Sequence, residues 1–370
     1  MRSLLPTRPR DTSVTGKPIQ CEVIVPDTHP PDFCFTAPPV HRARHPVLIP
    51  GLIILLALTM IASVGLGTAD IAPDRLLAVF IGKGDRIASG ILLDLRLPRT
   101  IVGVAVGGML GLAGAVLQGY LRNPLSEPSV LGTSNAAALG AVAAIYYGFA
   151  EWHILILPGL AILAGLFSLI ILFALAGRSE NPLTLILAGI AVGTLAGAGI
   201  SLSLNLSPNP FAAMEIMTWL LGSVENRSMD HVWIALPCIV IGVVLLLVGA
   251  PALDALTLGE DGASALGVDL GRLRIRLMLG VAIGVGGAVA VAGAIGFVGL
   301  IVPHLIRPLT DRSPSAILLP SMIGGAVLLT LADVAVRVIP TNSELKLGVV
   351  TAFLGVPVFL VHLLRERRLW

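Results

Sequence analysis

The stretch LMLGVAIGVGGAVAVAGAIGFVGLIVPHLI, residues 277–306, decides the fold because it runs for 30 residues without a charged side chain. A membrane-spanning helix needs about 20 apolar residues, so this run is long for one helix and short for two ordinary ones. The sequence GAIG at 293–296 offers a break. We therefore expect two segments, the second of which (297–309) contains Pro303 and Pro308 and is bent and buried within protein.

The rest of the chain is equally apolar. Hydrophobic residues make up 55% of the 370 residues and charged residues only 12%, against about 25% charged residues in a typical soluble protein. This composition excludes a soluble multidomain enzyme, and the net charge of +2 gives no reason to expect nucleic acid as a partner. Nine uncharged runs are long enough, or nearly so, to span a bilayer: 46–67, 100–121, 130–150, 154–177, 183–206, 232–252, 277–306, 315–332 and 347–364.

The placement of basic residues sets the topology. Splitting the run 277–306 gives ten spans, which puts both basic chain ends on one side of the membrane. In that arrangement 16 of the 24 Lys and Arg residues lie on the side of the termini and 8 on the other. The positive-inside rule then predicts an all-α polytopic membrane protein of about ten transmembrane helices, with both termini cytoplasmic.

Residues 1–45 differ from the rest in being rich in proline and poor in large apolar residues. They predict a disordered cytoplasmic N-terminal tail, followed by a transmembrane domain over residues 46–370. The three cysteines, Cys21, Cys34 and Cys238, match no disulfide or zinc pattern. We expect no metal and no cofactor bound by this chain.

Ionisable side chains are scarce within the spans, whereas ion-coupled carriers usually bury such groups near the bilayer midplane. Asp333 is the clearest exception, and Arg337 lies four residues later on the same helix face, which favours a structural salt bridge over a proton relay. The chain also lacks a Walker A sequence. We expect a transport subunit without catalytic residues, so ATP would be hydrolysed by a separate chain. An ion-coupled secondary carrier and a structural membrane scaffold are the alternatives.

The segment LDALTLGEDGASALGVDLGRLRIR (253–276) is the longest cytoplasmic loop after the tail in the ten-span topology. Residues 257–266 predict a short helix that stops at Gly267. A two-helix loop with the acidic residues Glu260 and Asp261 suits a docking surface for another protein. A solvated connector is the alternative.

Five motifs together resemble the FecCD family, the permease subunits of type II ABC importers for iron–siderophore complexes, heme and vitamin B12. The resemblance covers about residues 46–368. The motifs are LRLPRTIVGVAVGGMLGLAGAVLQGYLRNPLSEPSVLG (95–132), LTLGEDGASALGV (256–268), AGAIGFVGLIVPHLIRPL (292–309), LLTLADVAVR (328–337) and LGVVTAFLGVPVFLVHLLR (347–365).

This resemblance implies the type II ABC importer permease fold in the bacterial cell (inner) membrane. It also implies a second permease subunit, identical or related, two cytoplasmic ABC ATPase subunits that use the ATP, and an extracytoplasmic substrate-binding protein. The cargo it implies is an iron chelate, either a ferric siderophore or heme, with vitamin B12 (cobalamin) as the alternative.

The resemblance implies roles for individual residues where this chain matches a motif of the family. Arg96 and Arg99 in RLPR, and Arg337 at the end of LADVAVR, resemble outward-facing residues that receive acidic side chains of the binding protein. In the loop 256–268, the residues that resemble the ATPase coupling helices are Gly259, Glu260, Ala263, Leu266 and Gly267. The residues that resemble the inner gate are Asn123 and Leu125, with Asn181, Pro182 and Leu183 as a second gate element.

Overall fold

The computed structural model describes residues 47–67, 72–82, 84–177, 182–339 and 345–366, and the predicted tail (1–45) lies outside them. Within these ranges every regular element is helical. In chain order the α-helices are α1 (Leu48–Gly65), α2 (Pro73–Phe80), α3 (Arg86–Gly90), α4 (Leu97–Tyr120), α5 (Thr133–Tyr146), α6 (Ile156–Ala176), α7 (Pro182–Asn205), α8 (Pro210–Leu220), α9 (Met229–Val248), α10 (Ala250–Leu256), α11 (Glu260–Ala265), α12 (Leu270–Ala292), α13 (Val298–Ile306), α14 (Pro314–Val338) and α15 (Leu347–Glu366).

Seven helical stretches of the described chain are long and apolar enough to cross a membrane. They are α1, α6, α7, α9, α12, α14 and the continuous 35-residue stretch Arg86–Tyr120, in which a π-helical turn joins α3 to α4. Helices α5, α13 and α15 occupy the remaining predicted spans. The polytopic all-α class is therefore confirmed, and the predicted ten spans correspond to these seven stretches together with α5, α13 and α15.

The long apolar run breaks where its sequence predicted. Helix α12 ends at Ala292 and α13 begins at Val298. Between them Gly293 and Phe297 have φ angles of 73° and 68°, in the left-handed region that interrupts a right-handed helix. Most of α13 is buried, and Pro303 lies inside it, so this second half is the protein-buried segment expected from the sequence.

Two ends of the bundle can be defined by side-chain contacts. At one end, called the arginine end, the ends of α1 and α14 meet the start of α4. There Arg337 of α14 donates a hydrogen bond to the carbonyl oxygen of Ser63 of α1. The loop end carries α10 and α11, because Asp254 of α10 accepts a hydrogen bond from the backbone N–H of Ser315 at the start of α14. Helix α14 has 25 residues, so the two ends lie about 37 Å apart.

Helices α4, α12 and α14 form the centre of the bundle. Of the residues in an apolar 18-residue segment of each helix, 83%, 78% and 61% are buried, against 11% in α1. Glycines on α4 bring its backbone against its neighbours: a Cβ on Gly107 would collide with the carbonyl group of Gly325 on α14, and a Cβ on Gly114 would collide with Gly299 on α13. Such small-residue stripes let helices pack closely inside a membrane.

Candidate functional site

A buried ionic cluster lies at the arginine end. Arg99 of α4 donates from Nε and Nη2 to Asp333 Oδ1, at 3.0 and 2.8 Å. Arg337 donates from Nη2 to the other oxygen, Asp333 Oδ2, at 2.7 Å. The Asp333–Arg337 salt bridge expected from the sequence is therefore present, and Arg99 joins it from a second helix.

Two of the arginines also hold the C-terminal end of α1. Arg96 donates from Nη1 to the carbonyl oxygens of Val64 and Gly65, at 2.9 and 2.8 Å. Arg337 donates to the carbonyl oxygen of Ser63 at 2.8 Å and to its Oγ at 2.7 Å. The last carbonyl groups of a helix lack intrahelical donors and carry partial negative charge, so cationic donors are stabilising there.

The three arginines that resemble the family's docking residues are largely buried within this chain. Arg96 and Arg337 are only 5% and 9% exposed, and the side chain of Arg99 is 11% exposed. The physical reason is that the carbonyl oxygens of α1 and the carboxylate of Asp333 draw the guanidinium groups inward. The structure thus brings all three predicted docking residues together but gives them internal partners, and their docking role stays a prediction.

The predicted coupling segment forms two short helices at the loop end. Helix α10 ends at Leu256, and α11 covers Glu260–Ala265, so the helix predicted from Thr257 is wrong by three residues at its start. Gly259 has φ 96°, which ends any continuous helix before Glu260, and Gly267 has φ 85° just beyond the end of α11.

Helix α11 buries one side and exposes the other. Ala263 is fully buried, whereas Leu266 is 65% exposed and Leu258, just before the helix, is 69% exposed. Glu260 is half-buried in the first turn. The segment therefore presents two apolar side chains to its surroundings at the loop end.

Rigid contacts support this helix pair. Asp254 Oδ1 accepts from Ser315 N at 2.9 Å, which fixes α10 to α14. Arg274, near the start of α12, donates to the carbonyl oxygen of Gly177 at 3.3 Å and lies over the ring of Phe173 at 5.1 Å. The pair is thus fixed to α14 through Asp254, and the helix that follows it, α12, is fixed to α6 through Arg274.

The predicted inner gate is a compact turn after α4. Asn123 Oδ1 accepts a hydrogen bond from the backbone N–H of Leu125 at 3.0 Å. Asn123 is half-buried and Leu125 is 46% exposed. Of the second gate element, Pro182 begins α7 and Leu183 is 60% exposed, while Asn181 lies outside the described residues.

The same turn carries a residue that sequence reasoning missed as a site. Glu127 Oε2 accepts from the backbone N–H of Phe297 at 3.3 Å, and Oε1 accepts from Ser129 Oγ at 2.5 Å. Glu127 lines a cavity of about 170 Å³ next to the α12–α13 break. No local sequence signal identified Glu127, because the break that it contacts lies 170 residues later in the chain.

A wider hollow of about 460 Å³ opens beside α8. Phe211, Met214 and Trp219 line it on the apolar side. A salt bridge of 2.7 Å from Lys346 to Glu225 joins the start of α15 to the α8–α9 connection. Burial lowers the pKa of the neighbouring Arg227 guanidinium, and the charge of Glu225 opposes that shift.

Comparison with known proteins gives a consistent result. The FecCD transport family matches residues 55–365. The Fe(3+)-citrate import system permease protein YfmE of Bacillus subtilis is 35% identical, covering 86% of this chain and 94% of that protein. The cobalamin import system permease protein BtuC of Halobacterium salinarum is 39% identical, covering 76% and 74%. A solved structure of an inward-facing metal-chelate type ABC transporter has a TM-score of 0.78 at 31% identity, covering 87% and 100%.

Proposed function

This chain belongs to the FecCD transport family of ABC importer permeases, and from that premise we propose that it carries a ferric chelate across the bacterial cytoplasmic membrane. Permeases of this kind work in a complex with ATPases and a partner permease. We propose a ferric siderophore as the first substrate class and heme as the second. The chain itself holds no cofactor in this proposal, and the ATP is used by two cytoplasmic ATPase subunits.

The observation that carries the proposal is the helix pair α10–α11 at the loop end. Its exposed Leu258 and Leu266, next to the acidic start of α11, suit a cleft on an ATPase subunit. Its tie to α14, and that of the following helix α12 to α6, provide a route for motion into the bundle. This assignment makes the loop end cytoplasmic, together with both chain termini.

The arginine end then faces the binding protein. The side chain of Arg99 is 11% exposed and that of Arg337 only 3%, so acidic side chains of a docked lobe would approach the cluster at Arg99, beside Arg96 and Arg337. Charged groups of this kind give a complex its orientation and speed its association. In the same proposal, Asn123, Leu125, Asn181, Pro182 and Leu183 form the gate on the cytoplasmic side of the path.

A second permease subunit completes the path. Family members combine two such subunits around a central route, and the exposed apolar sides of the outer helices here provide surface for both lipid and a partner. Whether the partner is a copy of this chain or a related permease is decided by co-purifying two differently tagged copies from one cell.

Cobalamin is the second candidate cargo, since cobalamin permeases are among the similar proteins, at 39% identity in one case. Both cargoes are tested in cells lacking the gene by measuring uptake of ⁵⁵Fe presented as siderophore or heme and of ⁵⁷Co-cyanocobalamin. Loss of iron uptake that the wild-type gene restores supports the proposal. Loss of cobalamin uptake with normal iron uptake would mean that the cargo is cobalamin and not an iron chelate.

The same strain tests the coupling segment. We expect Glu260→Arg to abolish uptake while the protein stays at its normal level in the membrane, because the charge at the ATPase contact is reversed. Glu151→Arg makes the same change at an exposed carboxylate in the α5–α6 connection and should leave uptake unaltered. Full rescue of uptake by Glu260→Arg would show that Glu260 is not needed for the contact with the ATPase.

A further inference from the structure

The cavity beside Glu127 lies halfway through the bundle. Leu110, which lines it, is the fourteenth of the 24 residues of α4. The opposite wall is the chain break between α12 and α13, from Ala294 to Phe297. A space of about 170 Å³ corresponds to about six water molecules at about 30 Å³ each, so it can receive one edge of a larger molecule.

Glu127 supplies a negative charge to this space. Both of its carboxylate oxygens act as acceptors, one for Ser129 Oγ and one for Phe297 N. An ionised carboxylate has about four lone-pair positions and the protein occupies two of them, so two remain for a molecule in the cavity. No Lys or Arg belongs to the described lining, and so the charge is not neutralised there by a basic side chain.

Other polar groups of the lining are neutral. Ser134 and Asn135, at the start of α5, face the cavity together with Ser129. Apolar residues form most of the bundle around it, and in such surroundings a charge acts more strongly than in water. An ionisable group at this depth in a membrane protein is a functional candidate for that reason.

We infer that this cavity is a subsite on the transport path, that it receives the hydrogen-bond-donating edge of a neutral or cationic metal chelate, and that Glu127 disfavours anionic chelates. The inference rests on the proposed function and narrows its substrate class. Donor groups on the chelate satisfy the open lone pairs of Glu127, while an added negative charge meets repulsion in a medium of low dielectric constant.

The test uses one chelate core with three charges. Ferrioxamine B has a free amine and is cationic, its N-acetyl derivative is neutral, and its N-succinyl derivative is anionic. Uptake of each ⁵⁵Fe-loaded form is measured in liposomes that contain the complete complex with its ATPase and binding protein. Because the core is the same, the ratio of anionic to neutral uptake reports the effect of charge along the path.

Two substitutions shift the cavity charge in opposite directions. Glu127→Gln removes the charge and should raise the anionic-to-neutral ratio about tenfold, whereas Asn135→Asp adds a charge and should lower it about tenfold. Glu151→Gln, on an exposed connection, should leave the ratio at the wild-type value. Asn135→Asp keeps the test decisive even where Glu127→Gln fails to reach the membrane.

The outcomes separate the two proposals. A ratio within twofold of wild type in both cavity variants, with all three chelates carried, overturns the subsite and leaves the proposed function intact. A wild-type complex that carries none of the ferric chelates overturns the proposed function for this chelate class, and the subsite with it. Opposite shifts of the ratio in the two variants support the subsite.

Discussion

Replacing Asp333 by alanine tests whether the ionic cluster at the arginine end holds the bundle together. Asp333 is 1% exposed and accepts from Arg99 at 2.8 Å and from Arg337 at 2.7 Å. Removing one partner of a buried ion pair leaves uncompensated charge and typically costs about 3–5 kcal/mol. Arg337 keeps its bonds to Ser63, so we expect a loss near the lower limit, about 3 kcal/mol.

The assay is SDS titration of the purified chain in detergent micelles, with tryptophan fluorescence reporting the free energy of unfolding. Asp261→Ala serves as the control because Asp261 is exposed, and surface substitutions usually change stability by less than about 0.5 kcal/mol. Adding Arg99→Leu to Asp333→Ala should recover part of the loss, since one buried charge is then also removed. A loss below about 1 kcal/mol in Asp333→Ala would refute the view that this cluster stabilises the bundle.

Two further predictions concern helix contact and docking. Gly107→Ala should lower the free energy of unfolding in the same titration by about 2 kcal/mol or more, because the added Cβ meets the backbone of α14. Gly197→Ala is the control, since its Cβ meets open space and should leave the free energy of unfolding unchanged. Equal effects of the two substitutions would contradict the close contact between α4 and α14. Arg99→Gln should weaken association with the binding protein and reduce the salt dependence of that association, as measured on immobilised binding protein at several ionic strengths. Arg272→Gln at the loop end is the control and should behave as wild type. Unchanged association in Arg99→Gln would place docking elsewhere.

The apolar runs predicted most of the fold because a membrane allows few backbone structures. The split at 293–296 followed from the length of the run, its glycines and the two basic chain ends, and α12 and α13 end and begin on either side of it. The start of α11 was misplaced, since only the backbone shows that Gly259 takes φ 96°.

The candidate site was harder to predict than the fold. Motifs identified Arg96, Arg99 and Arg337, but their burial depends on partners distant in the sequence. The α1 carbonyl groups lie at least 31 residues from Arg96, and Asp333 lies 234 residues from Arg99. Glu127 was missed because its position deep in the bundle depends on the tertiary fold. It lies in a turn after α4 and contacts the chain break at Phe297, which comes 170 residues later. Local patterns carry no information about such distant contacts.

The clamp on α1 has a consequence for biosynthesis. Arg337 lies 274 residues after Ser63, whose carbonyl oxygen it holds. A ribosome adding about 5–20 residues per second needs about 14–55 s to cover that distance. Throughout that interval α1, which buries little of its own surface, stays in the lipid without this clamp. The contacts of Arg337 to α1 are therefore a late event of assembly, and a chain interrupted before residue 337 holds the end of its first helix through Arg96, which donates to the carbonyl oxygens of Val64 and Gly65.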